Sequence, residues 1–259
     1  MSTTTKLCTT IAALALSLGT VPAPAAGPTD PVKNIVLVHG AFADGSSWAK
    51  VIAILQAKGY NVTAVQNPLT SLADDVAATN RALALQKGPV ILVGHSWAGA
   101  VITEAGVDPK VAGLVYVAAF ALDADETIPE LGKNYPPPAS FAAPIVDAQG
   151  FMSLSTEAIV KHFAWDLPPA EARVLAATQT PIATSAFGVK VSNVAWKTKP
   201  SWYIVAGKDR AIAPDEERFF AKRMKATTKE LDTSHVPMLS KPKEVAAVIM
   251  EAAASVSAP

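Results

Sequence analysis

The sequence Val90-Ile91-Leu92-Val93-Gly94-His95-Ser96-Trp97-Ala98-Gly99 passes from four consecutive aliphatic residues into a turn that contains a serine. A continuous aliphatic run of this kind is typical of a strand that is buried on both faces. Residues 98–105 predict a short helix, so Ser96 lies on a sharp strand-to-helix turn that exposes its hydroxyl at the edge of a sheet. Such a turn needs small residues two positions on either side of the serine, and Gly94 and Ala98 meet this need, although Ala98 replaces the glycine of the usual G-x-S-x-G pattern.

Outward from this turn, strand-like and helix-like segments alternate along most of the chain. Further strands are predicted at 35–38, 60–65, 111–118, 201–206 and 228–231, and further helices at 47–58, 71–86, 214–224 and 243–254. This alternation indicates an α/β fold in which a mainly parallel sheet is covered by helices on both faces.

The alternation stops between residues 121 and 199. Prolines are frequent there, and helix-like stretches occur only near 156–163 and 169–177. A structureless loop of that length is uncommon inside a compact domain. The segment therefore predicts an inserted helical cap over the ends of the strands.

The composition narrows the classes of function. Half of the 259 residues are hydrophobic, and 22 Lys and Arg residues balance 22 Asp and Glu residues. A neutral chain offers no basic surface for nucleic acid. No spacing of His, Cys or carboxylate residues predicts a metal site, and no glycine-rich phosphate loop occurs, so no metal and no cofactor are expected. The expected partner is a small molecule, and a homodimer stays open.

The first 26 residues predict a secretory signal peptide. A short, positively charged start is followed by the apolar run IAALALSL at 11–18 and by small residues with the spacing that a signal peptidase recognises. The apolar run is much shorter than the ~20 residues that span a bilayer, so no membrane anchor is expected. We therefore expect cleavage after Ala25 or Ala26, export to the periplasm or medium, and a mature domain over residues 27–259 without the single Cys8.

A serine nucleophile needs a base, and His235 is the best placed of the four histidines. It follows the last strand, where a loop can bring it over the strand ends, and it comes after both the serine and a candidate acid in chain order. That acid is Asp209, which follows the preceding strand and would hold the imidazole in one tautomer. Asp123, after another strand, is the alternative acid. His39 and His95 are interpreted as structural.

Backbone N–H groups near the serine would stabilise the negative oxygen that forms during acyl transfer. Where the nucleophile lies on such a strand-to-helix turn, one N–H group usually comes from the residue after the nucleophile, which is Trp97 here. The other usually comes from the loop after the first strand, which offers Ala41 or Phe42. Side chains of the cap are candidates for substrate contact, although they could equally be core residues, and a structural role is favoured for the histidine. These candidates are Phe141, His162, Phe163 and Trp165.

With these motifs in place, residues 34–254 resemble the α/β-hydrolase superfamily, in the small-cap branch that includes plant methyl-ester esterases and hydroxynitrile lyases. The matching segments are His39-Gly40-Ala41-Phe42, Ser47-Trp48, the turn at Ser96, Val117-Ala118-Ala119-Phe120, Gly207-Lys208-Asp209, His235, Met238-Leu239-Ser240 and Pro242. The resemblance implies the α/β-hydrolase fold with about six strands, because there is no room before Ile35 for the two leading strands of the full sheet. Lyases of this branch carry a lysine directly after the catalytic histidine, and Val236 stands there, which favours an esterase.

The sequence therefore predicts a serine hydrolase that cleaves a small-to-medium carboxylic ester through an acyl-enzyme, with Ser96, His235 and Asp209 as catalytic residues. Two alternatives stay open. One is a cofactor-free hydroxynitrile lyase, perhydrolase or lactonase on the same fold. The other is an exported binding protein with an inactive hydrolase pocket, against which a complete triad argues, because binding alone does not need all three residues.

Overall fold

The structure is a computed structural model that describes residues 1–3 and 32–256. The predicted signal peptide lies outside these ranges apart from its first three residues, so cleavage and export stay predictions. Within the described ranges, no helix is both long and apolar enough to cross a membrane.

The first part of the domain alternates four strands with three helices. In order, the elements are β1 (Asn34–Val38), α1 (Ala49–Ala57), β2 (Asn61–Val65), α2 (Leu72–Ala84), β3 (Val90–His95), α3 (Ala98–Ala105) and β4 (Val111–Val117). Local chemistry sets the helix ends. Helix α1 stops before Gly59, whose φ of 79° is the left-handed conformation that glycine adopts without strain. Helix α2 begins after Ser71, whose side chain accepts a hydrogen bond from the backbone N–H of Asp74.

Residues 118–200 leave this rhythm and form the cap. Its elements are α4 (Ile128–Gly132), β5 (Ile145–Val146), β6 (Phe151–Ser153), α5 (Thr156–Ala158), a turn of π-helix (Ile159–Phe163), α6 (Pro169–Thr178) and β7 (Ile182–Ala183). The three short strands form an antiparallel sheet in the order β5-β6-β7, which the sequence pattern does not predict. Strands of two or three residues are too short to produce a recognisable hydrophobic period.

The chain then returns to the main sheet. The remaining elements are β8 (Ser201–Ala206), α7 (Pro214–Arg223), β9 (Thr227–Leu231), α8 (Pro237–Ser240) and α9 (Pro242–Ser255). The main sheet has six strands in the order β2-β1-β3-β4-β8-β9, and every neighbouring pair is parallel. The prediction of an α/β fold with a mainly parallel sheet of about six strands is confirmed.

Burial follows the position of each strand in the sheet. Every residue of β1, β3 and β4 is buried, whereas most residues of the edge strands β2 and β9 are at least partly exposed. The inner strands are buried on both faces because helices cover the sheet, with α1 packed on α9 and α2 packed on α3.

The strand order leaves a crevice at the carboxyl ends of the inner strands β1 and β3. From β1 the chain moves outward to β2 and then returns to β3 on the other side of β1. At such a reversal the loops that follow the two neighbouring strands diverge and leave a crevice at their carboxyl ends. The loop after β1, at residues 39–42, and the turn after β3, at Ser96, meet at this crevice.

Candidate active site

The turn at Ser96 is held in a conformation that few residues tolerate. Ser96 has a φ of 54°, and its backbone N–H donates to the carbonyl of Val117 on the neighbouring strand at 3.2 Å. A Cβ atom on Gly94 would lie 2.7 Å from the carbonyl oxygen of Ala98, and one on Gly99 would lie 2.0 Å from that of Phe120. The glycines are therefore required because strand, turn and helix touch through their backbones.

Ser96, His235 and Asp209 form a continuous hydrogen-bonded relay. The Oγ atom of Ser96 lies 2.8 Å from Nε2 of His235, and Nδ1 of His235 lies 2.5 Å from Oδ2 of Asp209. Because an ionised carboxylate only accepts hydrogen bonds, Nδ1 carries the proton and Nε2 is free to accept from the serine hydroxyl. All three side chains are buried. The structure thus brings together the three residues predicted from the sequence.

Asp209 is fixed by its own turn. Its Oδ1 atom accepts hydrogen bonds from the backbone N–H groups of Ala211 at 2.6 Å and Ile212 at 3.2 Å, which leaves Oδ2 directed at His235. The alternative acid, Asp123, instead forms an ion pair with Lys197 near the surface. The position beside the imidazole is therefore occupied by Asp209.

Two other histidines support the backbone around the relay. His95 Nε2 donates to the main-chain carbonyl of His235 at 2.8 Å, and burial lowers the pKa of His95 well below its usual value, so the ring is neutral. His39 accepts a hydrogen bond from the backbone N–H of Asn67 at Nε2, and its Nδ1 donates to the carbonyl of Gly40. Both rings hold loops, and neither contacts the serine hydroxyl.

Three backbone N–H groups near Ser96 have no hydrogen-bond acceptor among the described residues: those of Ala41, Phe42 and Trp97. Gly40 brings the first two close to the serine, because a Cβ atom at position 40 would lie 2.8 Å from Cβ of Ser96. Buried N–H groups are almost always paired, so unpaired ones beside a serine hydroxyl are suited to a negative oxygen on a bound molecule. Ala41 and Phe42 remain equivalent candidates for the second donor.

A cavity of about 370 Å³ opens above the relay, within the size range of small-molecule sites. Ser96 and His235 form part of its wall, and most other lining side chains are apolar. These come from the β1 loop, the cap and the segment before α7, and include Phe42, Phe120, Ile128, Phe141, Met152, Phe187 and Ile212. The site therefore offers an apolar volume with the hydroxyl of Ser96 at one side.

The four cap residues predicted to contact substrate are placed differently from one another. Phe141 lines the cavity, whereas the other three do not. Phe163 is buried and packs edge-on against the His235 ring, with centroids 4.6 Å apart. Trp165 donates through Nε1 to the carbonyl of Lys208 and stacks under Arg210. His162 is half-buried on the π-helical turn.

Three acidic residues near the site were not identified from the sequence, because each lies in the first turn of a helix, where acids are common. Asp75 on α2 accepts hydrogen bonds from the indole of Trp97 and the backbone N–H of Leu69. Glu216 and Glu217 on α7 are both buried.

The two glutamates differ in their contacts. Glu217 accepts from the backbone N–H of Ala206 at 2.9 Å, and burial, followed by the charge of Asp209, raises the pKa of Glu217 well above its usual value. Glu216 lines the cavity, and burial raises its pKa to about 7. Among the residues that the structure describes, no group of three potential metal ligands occurs.

Comparison with known proteins identifies the family. A sequence model described as the alpha/beta hydrolase family matches residues 35–248. Methylesterase 7 of Arabidopsis thaliana is 29% identical over 253 residues, which cover 85% of this chain and 96% of that protein. The pyrethroid hydrolase of Sphingobium wenxiniae is 28% identical over 250 residues, which cover 85% of this chain and 87% of that protein.

Solved structures agree with this assignment. The pyrethroid hydrolase PytH superposes with a TM-score of 0.74 at 25% identity, over 86% of this chain and 98% of that one. Polyneuridine aldehyde esterase, at 18% identity, shares the fold with a TM-score of 0.74 over 85% of this chain and 98% of that one. The family predicted from the sequence is confirmed: this chain belongs to the alpha/beta hydrolase family, and the relatives compared with it are named esterases and hydrolases.

Proposed function

We propose that this esterase-type hydrolase cleaves a small-to-medium carboxylic ester through an acyl-enzyme formed on Ser96. The observation that carries the proposal is the relay in which Ser96 Oγ lies 2.8 Å from His235 Nε2 and His235 Nδ1 lies 2.5 Å from Asp209 Oδ2. This is the geometry required for a base that removes the serine proton while a carboxylate holds the base in the correct tautomer.

The reaction follows from these contacts. His235 takes the proton of Ser96 as Oγ attacks the ester carbonyl carbon, and Asp209 stabilises the imidazolium that forms. The negative oxygen is held by the N–H of Trp97 and by that of Ala41 or Phe42. When the tetrahedral intermediate collapses, His235 returns the proton to the departing alcohol. Water then attacks the acyl group by the same route, releases the acid and restores the serine.

The cavity supports an ester of limited size with apolar substituents. Its volume of about 370 Å³ and its mostly aliphatic and aromatic lining suit such a substrate better than a strongly charged one. The relatives named methylesterase and pyrethroid hydrolase are consistent with an ester bond as the target. None of the proposed steps needs a metal or a cofactor. Lyases in the branch that this chain resembles carry a lysine directly after the catalytic histidine. Val236 stands at that position here, which supports hydrolysis over cyanohydrin cleavage.

The test compares wild type with Ser96→Ala and Asp209→Asn on p-nitrophenyl esters from acetate to octanoate. We expect kcat to fall by about 10³-fold or more in both variants, because triad members act as a unit. Asp123→Asn is the matched control, since it changes the alternative acid, and it should retain wild-type turnover. Undiminished turnover by Ser96→Ala, or no labelling of the wild type by a fluorophosphonate probe, would remove Ser96 from the mechanism.

We also propose that residues 1–26 direct export and are removed. The support is the charged start, short apolar run and small-residue site in the sequence. Expression of the full chain in a bacterial host, followed by fractionation and intact-mass measurement, should give an exported protein that begins at Ala26 or Gly27. Recovery of the uncleaved chain from an export-competent host would contradict this.

A further inference from the structure

Glu216 is a buried carboxyl that faces the substrate cavity without a protein partner. It lies in the first turn of α7 and lines the same cavity as Ser96 and His235. Only 4% of its surface is exposed. No described residue donates a hydrogen bond to either carboxyl oxygen, and Oε1 is completely buried.

The fold does not explain why a carboxyl is kept there. An unpartnered polar group in an apolar environment costs stability, and a charged one costs more. The start of α7 does not depend on the side chain, because the backbone N–H of Glu216 bonds to the carbonyl of Ala213 and Pro214 occupies the first turn. The exposed Asp215, one residue earlier, already places an acid near the positive end of the helix.

The surroundings of Glu216 indicate what it can recognise. The wall of the same cavity includes Ala211, Ile212 and Ala213, which directly precede α7, and Tyr135 of the cap. The pKa of Tyr135 is raised by partial burial and then by the charge of Glu216, which places the phenol within its field. The charges that act on Glu216 itself are those of Arg223 and Asp209. Ser96 and His235 are engaged with the scissile ester, so Glu216 and Tyr135 are the polar groups left for the rest of the substrate.

We propose that Glu216 is a specificity-determining residue, whose carboxyl accepts a hydrogen bond from a neutral donor, a hydroxyl or amide N–H, carried by the ester substrate. A neutral donor is favoured over an ammonium group because the other walls are apolar, and a buried cation costs more to remove from water than a hydroxyl does. This inference rests on the proposed ester hydrolysis and adds the chemistry of the substrate to it.

The test uses pairs of esters that differ only in one donor. Two series, methyl phenylacetates and phenethyl acetates, carry either hydroxyl or fluorine at each ring position, so that both sides of the ester are sampled. We expect at least one hydroxyl ester to exceed its fluorine partner in kcat/KM by about tenfold or more, since a hydrogen bond to a carboxylate that is otherwise unpaired gives this order of discrimination. The preference should disappear in Glu216→Leu and persist in part in Glu216→Gln, whose amide oxygen still accepts.

Two controls separate the substrate contact from a structural role. Asp215→Leu removes the neighbouring exposed carboxyl and should leave the ratio of hydroxyl to fluorine esters unchanged. The melting temperature of Glu216→Leu should equal or exceed that of wild type, because an unpartnered carboxyl is replaced by an apolar group of similar size. A marked fall in melting temperature would make the carboxyl structural and overturn the proposal.

The outcomes distinguish this inference from the function on which it depends. If wild type hydrolyses the hydroxyl and fluorine esters equally, or if Glu216→Leu keeps the preference, this inference fails and ester hydrolysis stands. A stronger preference for an aminomethyl-substituted ester than for the hydroxyl ester would also overturn the neutral donor. If wild type turns over no ester of either series, both proposals fail.

Discussion

The indole Nε1 of Trp97 donates a hydrogen bond to Oδ2 of Asp75 at 2.7 Å, and both side chains are buried. The other oxygen of the same carboxyl accepts from the backbone N–H of Leu69 at 2.8 Å, at a turn where Leu69 has a φ of 57°. One carboxyl thus joins the turn before α2 to the turn of the nucleophile. Since the backbone N–H of Trp97 is a proposed oxyanion donor, the hydrogen bond between its indole and Asp75 helps to hold that donor in position.

Asp75→Asn should destabilise the protein although the side chain keeps its shape. An amide has one acceptor oxygen, so its NH₂ group must face either Leu69 N–H or the Trp97 indole. We expect the free energy of unfolding to fall by about 1–3 kcal/mol, the usual cost of a buried unsatisfied donor, in urea titrations at pH 8. The exposed Asp74→Asn is the matched control, with an expected change within about 0.5 kcal/mol. Equal losses in the two variants would contradict the role assigned to Asp75.

Gly40→Ala should impair catalysis without removing any catalytic group. The added Cβ atom would lie 2.8 Å from Cβ of Ser96 and 2.9 Å from the carbonyl oxygen of His95, so the loop after β1 must move away from the nucleophile. We expect kcat for a p-nitrophenyl ester to fall by about 10²-fold, because displacements of this order misplace the reacting groups. Gly188→Ala is the control, since a Cβ atom there meets nothing within 4 Å and kcat should not change. A wild-type kcat in Gly40→Ala would mean that the loop accommodates the added methyl group, and it would contradict the predicted displacement from Ser96.

The main sheet could be predicted because its strands carry strong local signals. The inner strand β3 (Val90–His95) begins with four consecutive aliphatic residues, and glycines and prolines mark the turns. The strands of the cap could not be predicted in this way. Strand β5 is the dipeptide Ile145–Val146, and its pairing with β6 depends on contacts across the cap rather than on a period in its own sequence.

The three residues of the relay could be predicted from the sequence, but the residues around them could not. Asp209 and Asp123 both follow parallel strands, so the sequence offers two candidate acids. The choice between them depends on the turn at Asp209, which orients its carboxylate toward His235. Composition identifies the apolar residues of the cap, but it does not show which of their side chains face the cavity. Phe163, for example, packs against the imidazole of His235 instead of lining the cavity. Glu216 resembled an ordinary acid at a helix start, because only the tertiary structure buries it.

Glu217 should act as a neutral hydrogen-bonding group behind Asp209. Its pKa is raised by burial and by the charge of Asp209, which favours the protonated form, and it accepts a hydrogen bond from the N–H of Ala206. Glu217→Gln preserves a neutral donor and an acceptor, so its kcat/KM profile against pH should match that of wild type. Glu217→Leu leaves the Asp209 charge less stabilised and therefore more attractive to the imidazolium. We expect its acid limb to move to higher pH, with kcat/KM reduced about tenfold.

The contrast between the two Glu217 variants distinguishes positioning from packing. A purely structural role would lower stability in Glu217→Leu, measured by urea unfolding, without moving the pH profile. An unchanged acid limb in that variant, with wild-type behaviour in Glu217→Gln, would contradict the proposed influence on Asp209.

Glu216 should make the protein less stable as the pH rises. Its pKa is about 7 in the folded state, mainly because of burial, whereas an exposed glutamate titrates near 4.3. Between these two values the folded state binds more protons than the unfolded state, so the free energy of unfolding decreases with increasing pH across this window. Glu216→Gln removes this titration. Its stability relative to wild type should therefore increase between pH 5 and pH 8, by about 1–3 kcal/mol, in urea unfolding measured at both values.

The same comparison isolates Glu216 from the other buried acids. Asp75, with a pKa raised by burial to about 6, contributes to the pH dependence of wild type and of Glu216→Gln alike, so it cancels in their difference. Asp215→Asn changes an exposed carboxyl in the same turn and should show no such pH-dependent gain. If Glu216→Gln follows the wild-type stability curve in parallel from pH 5 to pH 8, then the carboxyl reaches water in the folded protein, and the buried, unpartnered state on which its proposed contact with substrate depends is wrong.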